Sequence, residues 1–148
     1  YQTTGPEIWN QTRGELTHFF AGIGTGGTIT GVGRYLKEQN PNVRIVAVEP
    51  AGRQHKLSGL KRVTGLPDEH FPEILDRNVI DEFVPVTDEQ AFTAGIRLAR
   101  SEGVMVGPTT GALLHAAVEL GKRDKGKAVL IAADSATKYI SSYADYLS

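Results

Sequence analysis

Apolar and polar positions alternate between two periods along the chain. Leu16 to Ile23 contains the apolar run Phe19-Phe20-Ala21 and reads as a buried strand. From Thr28, the apolar residues Ile29, Val32 and Leu36 recur at helical spacing, with Arg34, Lys37 and Glu38 turned away and Asn40-Pro41 as the stop. Arg44 to Glu49 (RIVAVE) is a continuous β-branched run, as a parallel strand covered on both faces requires. Val79 to Val86 predicts a further strand, and Phe92, Ile96 and Ala99 a helix that closes at Gly103. A short strand over 104–106 then leads into a helix over 112–120 that is apolar nearly all round and is expected to be buried. The last strand is expected over 128–133. Tyr139, Ile140, Tyr143, Tyr146 and Leu147 follow at helical spacing, as a docking stripe. Two capping boxes punctuate the pattern. Thr4-Gly5-Pro6-Glu7 predicts Thr4 as the N-cap of a short helix running to about Arg13, and Thr87-Asp88-Glu89-Gln90 opens the Phe92 helix. Residues 50–77, with Gly52, Gly59, Gly65, Pro67 and Pro72, show no sustained period and are expected to be functional or mobile.

Alternation of strand and helix predicts an α/β fold with a mostly parallel, helix-covered sheet. In such sheets ligands bind outside the carboxyl ends of the strands. The two strand-to-helix turns rich in Gly and Thr, 22–28 and 107–111, are therefore expected at one end, in one domain with one site.

Composition narrows the function classes. The 148 residues are 40% hydrophobic and 22% charged, as in a folded globular domain. With 16 basic against 17 acidic side chains, there is no polyelectrolyte argument for nucleic acid or an anionic membrane. No apolar run approaches the ~20 residues that span a bilayer. The absence of cysteine excludes thiolate metal sites and a cysteine nucleophile and fits a cytoplasmic protein. His18, His55, His70 and His115 lack metal-ligand spacing. Tyr1 directly precedes a helix signal, so the chain reads as a piece of a longer protein.

The candidate chemistry lies in the glycine turn. Five glycines fall within the ten residues from Gly22 to Gly31, interleaved with Thr25 and Thr28, immediately before a helix. Glycines let backbone N–H groups approach a ligand, and a helix N-terminus adds a positive dipole end. That combination is a cradle for phosphate. Gly22-Ile23-Gly24-Thr25-Gly26-Gly27 also satisfies the G-x-G-x-x-G of dinucleotide sites, with Glu49 ending the next strand as a ribose-binding acid. The interval from Gly22 to Glu49 exceeds the ~20 residues of that pattern. A turn built only for tight packing is the third reading. No Lys-Ser/Thr pair follows as in a triphosphatase.

Five stretches carry a resemblance: YQTTGPEIW from Tyr1, AGIGTGGTITGVGRYLKE from Ala21, NPNVRIVAVEP from Asn40, SEGVMVGPTTGALLHAA from Ser101 and DSATKYIS from Asp134. Together they resemble the later part of the cysteine synthase and cystathionine β-synthase family, the fold-type II pyridoxal-phosphate enzymes. The resemblance implies a three-layer sandwich like the large domain of tryptophan synthase β, with 1–148 as the cofactor-binding domain. It implies that Gly24, Thr25, Gly26, Gly27 and Thr28 hold the phosphate of pyridoxal 5′-phosphate. Gly107-Pro108-Thr109-Thr110-Gly111 is similar to the family's Gly-x-Ser-Ser/Ala-Gly segment, which assigns the bond to the pyridine nitrogen to Thr109. The competing role for Thr109 is N-cap of the next helix, with Thr110 as the spare cap. A hydroxyl partner makes the ring a weaker electron sink than a carboxylate would, which suits β-elimination and β-replacement. His55 to Leu60 resembles the family's substrate-side loop, with Gly59 at the matching glycine. Lys61 and Arg62 follow, and two cations there suit an O-phospho leaving group, unless they are solvated loop charges. Asp134-Ser135 departs from the family's usual sequence, which leaves Asp134 only an indirect role.

The family's Schiff-base lysine and its Thr/Ser-Gly-Asn-Thr substrate loop lie in a segment this sequence does not contain, so no catalytic residue is assigned here. The resemblance thus implies β-replacement on an O-activated serine, O-acetylserine or O-phosphoserine, with sulfide, in a cytoplasmic homodimer whose isolated piece is inactive. Homocysteine as the nucleophile, in a cystathionine β-synthase-like lyase, is one alternative. An NAD-binding dehydrogenase domain and a non-catalytic scaffold are the others.

Overall fold

The computed structural model describes residues 3–131 apart from 25, 53–54, 58–59, 68 and 70–71. Among the described residues four parallel strands form one sheet in the order β3-β2-β1-β4, with β1 His18–Gly22, β2 Arg44–Pro50, β3 Glu82–Val86 and β4 Ala128–Leu130. The central pair is in register from His18 opposite Arg44 to Gly22 opposite Val48.

The period of two explains why the central strands are apolar at successive positions, Phe19 to Ala21 and Ile45 to Val48. Phe19, Ala21, Ile45 and Ala47 face one way, into a core with Ile8 of α1 (Thr4–Gln11) and Ile29, Val32 and Leu36 of α2 (Gly27–Gln39). Phe20, Val46 and Val48 face the other way, onto Ala91 of α3 (Asp88–Glu102) and Leu113, Ala116 and Leu120 of α4 (Pro108–Gly121). Helices on both faces make the three-layer sandwich that the resemblance implied. Each of these large apolar side chains contributes about 1.5–3 kcal/mol on burial, and the polar residues of the two central strands, His18, Arg44 and Glu49, fall at their ends.

Four local expectations are corrected. The first helix takes Thr3 rather than Thr4 as its N-cap, and no side chain caps it; the Glu7 N–H bonds the Thr3 carbonyl instead. Residues 104–106 form no strand among the described residues, and Val104 and Met105 are 48% and 58% exposed. The α4 helix is not buried all round: Leu113 and Ala116 are inside, while Val118 is 47% exposed. A 3-10 turn, Arg77–Val79, takes the first part of the predicted 79–86 strand, because Asp76 caps it by accepting the Asn78 N–H. The second capping box forms as predicted, with Thr87 and Gln90 each accepting the other's backbone N–H. The expected 128–133 strand ends at Leu130, with Ile131 outside it; residues 132–133, Asp134 and the stripe from Tyr139 to Leu147 lie outside the described residues. Among the described residues no helix is long and apolar enough to cross a membrane.

Candidate functional site

Chain direction places both glycine–threonine turns at one edge. Helix α2 starts after β1 ends, at the carboxyl ends of the strands. Helix α4 packs on β1 and leads to β4, whose first residue pairs with His18 at the amino ends. Running antiparallel to the sheet, α4 must begin at the carboxyl edge as well. Two positive helix ends therefore face the same side of the sheet, where an anion gains from both.

The first turn is built from the backbone outward. Gly26 is the N-cap of α2 in the left-handed region (φ 91°), with no side-chain cap on the helix. A Cβ there would lie 2.6 Å from the Leu75 Cβ and 2.9 Å from its Cα, so the position admits only glycine as the backbone stands. Gly27 opens the helix, Thr28 stands exposed in its first turn, and Gly24 is half-buried between strand and helix. Thr25 lies outside the described residues.

Behind this turn, residues 72–79 are fastened to α2. The Asp76 N–H bonds the buried Thr30 Oγ1 (3.0 Å), and Arg34 Nη2 bonds Asp76 Oδ2 at 2.8 Å. The Arg34 guanidinium first, and then the Asn78 N–H, hold the Asp76 carboxyl below its usual range. Sequence reasoning missed this clamp because Leu75 and Asp76 sit in a stretch with no periodicity.

The second turn departs from its expected capping. Gly107 is the N-cap of α4 and Pro108 its first residue. Thr109 and Thr110 are therefore inside the first turn, so neither takes the N-cap role considered for it. Thr109 is half-buried and Thr110 buried. Gly111 has a packing function: a Cβ there would run into the Ala91 carbonyl oxygen of α3.

The segment expected to line the substrate side is held at several of its described residues. The Lys56 N–H bonds both carboxylate oxygens of Asp88 (3.1 Å each), and Leu57 is fully buried. The Lys61 N–H bonds the Ile23 carbonyl at 2.7 Å, seating Lys61 beside the glycine turn. The two cations differ. Arg62 Nη1 is committed to the Pro50 and Ala51 carbonyls (3.2 and 2.8 Å), whereas Lys61 is exposed and forms no ion pair among the described residues. Lys61 and His55 line a cleft of about 450 Å³ floored by Leu60, Val63 and Leu66. Gly59 lies outside the described residues.

The dinucleotide reading fails at Glu49. Its side chain is 1% exposed, and Oε2 accepts the N–H groups of Val63 (2.9 Å) and Thr64 (3.1 Å), so it is not free for a ribose. A second cleft, lined by His18, Arg44, Glu82, Arg123 and Asp124, belongs to the opposite, amino edge of the sheet. No cluster there or elsewhere among the described residues has the make-up of a metal site.

The chain matches the pyridoxal-phosphate dependent enzyme family over residues 1–134. It is 40% identical over 147 residues to the cysteine synthase of Aquifex aeolicus (strain VF5), covering 96% of this chain and 44% of that protein. To the cystathionine beta-synthase of Apis mellifera it is 37% identical over 153 residues, covering 97% of this chain and 30% of that protein. The crystal structure of O-acetyl serine sulfhydrylase isoform 3 from Entamoeba histolytica is similar at a TM-score of 0.83 and 29% identity, over 93% of this chain and 43% of that one. The chain thus spans less than half the length of these relatives. The described residues fit a phosphate-bearing cofactor: the amino-terminal ends of α2 and α4 face one edge of the sheet, and Gly26 enters α2 in a left-handed conformation with no room for a Cβ. The chain belongs to the family of pyridoxal-phosphate dependent enzymes, and its cofactor is pyridoxal 5′-phosphate.

Proposed function

We propose that this chain is the cofactor-binding portion of a cysteine synthase-type enzyme, which replaces the β-substituent of an O-activated serine with sulfide. The observation that carries the reading is the convergence of the amino-terminal ends of α2 and α4 on the carboxyl edge of one parallel sheet. In this reading the backbone N–H groups of 24–28 and the hydroxyls of Thr25 and Thr28 bind the cofactor phosphate, whose charge is near −2. Thr109 orients the ring by a bond to its nitrogen. When bound, the cofactor supplies an electron sink for loss of the β-substituent. The chain's own part is to bind, to orient, and to present Lys61 and Gly59 toward the amino-acid donor. The donor is O-acetylserine or O-phosphoserine, and the working enzyme is a cytoplasmic homodimer. The likeness to a cystathionine beta-synthase supports homocysteine as the second choice of nucleophile.

The test is turnover by the whole protein, loaded with pyridoxal phosphate and offered each serine ester with sulfide or homocysteine. Cysteine formation with sulfide at the higher kcat/KM is the expected result. Cystathionine as the preferred product, or no β-replacement at all, would overturn the assignment.

A further inference from the structure

Glu49 is the only buried carboxylate among the described residues, and nothing in the proposed chemistry uses it. Removing a carboxylate from water is unfavourable unless strong hydrogen bonds replace the solvent. Here the replacements are two successive backbone N–H groups, of Val63 and Thr64, donated from a segment 14 and 15 residues further along. The attachment sits at the penultimate residue of β2, on the edge where α2 begins.

Other bonds act on the same short stretch. The Leu60 side chain fills the space that a Cβ on Gly22 would need. The Lys61 N–H bonds Ile23, and Arg62 bonds the carbonyls of Pro50 and Ala51. Residues 60–64 are thus tied to the ends of both central strands, and Glu49 supplies the two bonds that hold the far side. Lys61, in the middle, has its backbone fixed and its ammonium free of ion pairs among the described residues. The neighbouring His55 accepts the Leu57 N–H at Nδ1, which leaves Nε2 as the protonated nitrogen of the neutral ring. A cleft with an ammonium and an imidazole N–H at its rim has the chemistry to receive an anion.

We propose that Glu49 is a positioning residue for the substrate side of the site. Through the Val63 and Thr64 amides it fixes residues 60–64 on the strand ends and so sets where the Lys61 ammonium meets an anionic leaving group, a phosphate ester, on the amino-acid donor. This rests on the β-replacement reading above. It assigns donor selectivity to a carboxylate that never touches the donor.

Glu49→Gln keeps an oxygen acceptor at the same reach, Glu49→Asp keeps the charge but shortens the reach, and Glu49→Ala removes both. Hydrogen–deuterium exchange and steady-state kinetics on the whole protein separate the possibilities. In the Asp and Ala variants, exchange over 60–67 rises about tenfold or more while 18–22 and 44–50 stay protected, and Gln stays close to the parent. The KM for O-phosphoserine rises about tenfold with kcat within about twofold, and the KM for O-acetylserine changes much less. Should Glu49→Ala fail to fold, Glu49→Asp carries the same test. Unchanged exchange over 60–67, or exchange rising equally in both central strands, overturns the positioning role. Equal KM changes for the two donors overturn the assignment of an anionic leaving group. If the parent protein turns over neither donor while exchange is still localised, the β-replacement reading fails and the donor half of this proposal falls with it.

Discussion

Replacing Gly26 with alanine probes the account at its most constrained atom. The left-handed backbone (φ 91°) costs an L-residue about 1–2 kcal/mol. The new methyl would also sit 2.6 Å from the Leu75 Cβ, 2.9 Å from its Cα and 3.0 Å from its nitrogen, against a comfortable separation of about 3.5–4.0 Å. Two of those three atoms are backbone, so no rotamer change relieves the overlap, and the 72–79 clamp must move off α2. Overpacking of that kind costs about 1–3 kcal/mol. The sum, about 2–5 kcal/mol, corresponds to a fall in Tm of about 10 °C for a chain of this length. Gly65→Ala is the matched control: φ is 88° there, but nothing lies within 4 Å of a Cβ, so only the same backbone term of about 1–2 kcal/mol applies. Thermal melts and denaturant titrations of both variants measure the difference. Equal losses in the two, or a fall below about 2 °C for Gly26→Ala, would refute the claim that Leu75 shapes the turn.

Gly111→Ala should lower stability by about 1–3 kcal/mol, read by denaturant titration, because the methyl runs into the Ala91 carbonyl and forces α3 and α4 apart. Thr109→Ser should keep cofactor affinity within a few-fold, whereas Thr109→Val should weaken it about tenfold in a fluorescence titration, since only the hydroxyl is needed for a ring-nitrogen bond. For Asp76, the Arg34 guanidinium depresses the folded-state pKa, so its contribution is present above the unfolded value near 3.8 and is lost as pH falls through the lower folded one. The stability gap between the parent and Asp76→Asn, followed by melts from pH 7 down to about 2, should therefore narrow below about pH 4.

Much of the fold is written in periodicity. Strands β1 and β2 and helices α2 and α3 show their periods directly, because each buries a defined stripe or both faces against neighbours in the same chain. The 104–106 stretch misled for a physical reason: β-branched residues favour extended backbone, but a strand needs a pairing edge, and none of the described strands offers one there. Helix α4 misled similarly, since an apolar surface predicts burial only when something covers it, and nothing described covers Val118. The helix entry at Gly24, Gly26, Gly27 and Thr28 is legible because a turn rich in glycine before a helix has a local signature. Leu75, Asp76 and the amide anchors on Glu49 are not, because each links residues 14 to 49 positions apart and depends on the packed structure. Glu49 is visible in the sequence as a strand-end acid, but its partners, the Val63 and Thr64 N–H groups, are not.

The most direct measurement is the binding of a pyridoxine pair to the 148-residue chain. Pyridoxine 5′-phosphate carries the phosphate but no aldehyde, so its binding needs no lysine chemistry and reports the cradle alone. Titration calorimetry should show the phosphate ester binding at least about 100-fold more tightly than pyridoxine, about 2.7 kcal/mol of preference. Inorganic phosphate should compete, and Gly26→Ala should remove most of the preference. Equal weak binding of both compounds, or tight NAD binding with neither, would contradict the assignment of the 24–28 turn as a phosphate cradle.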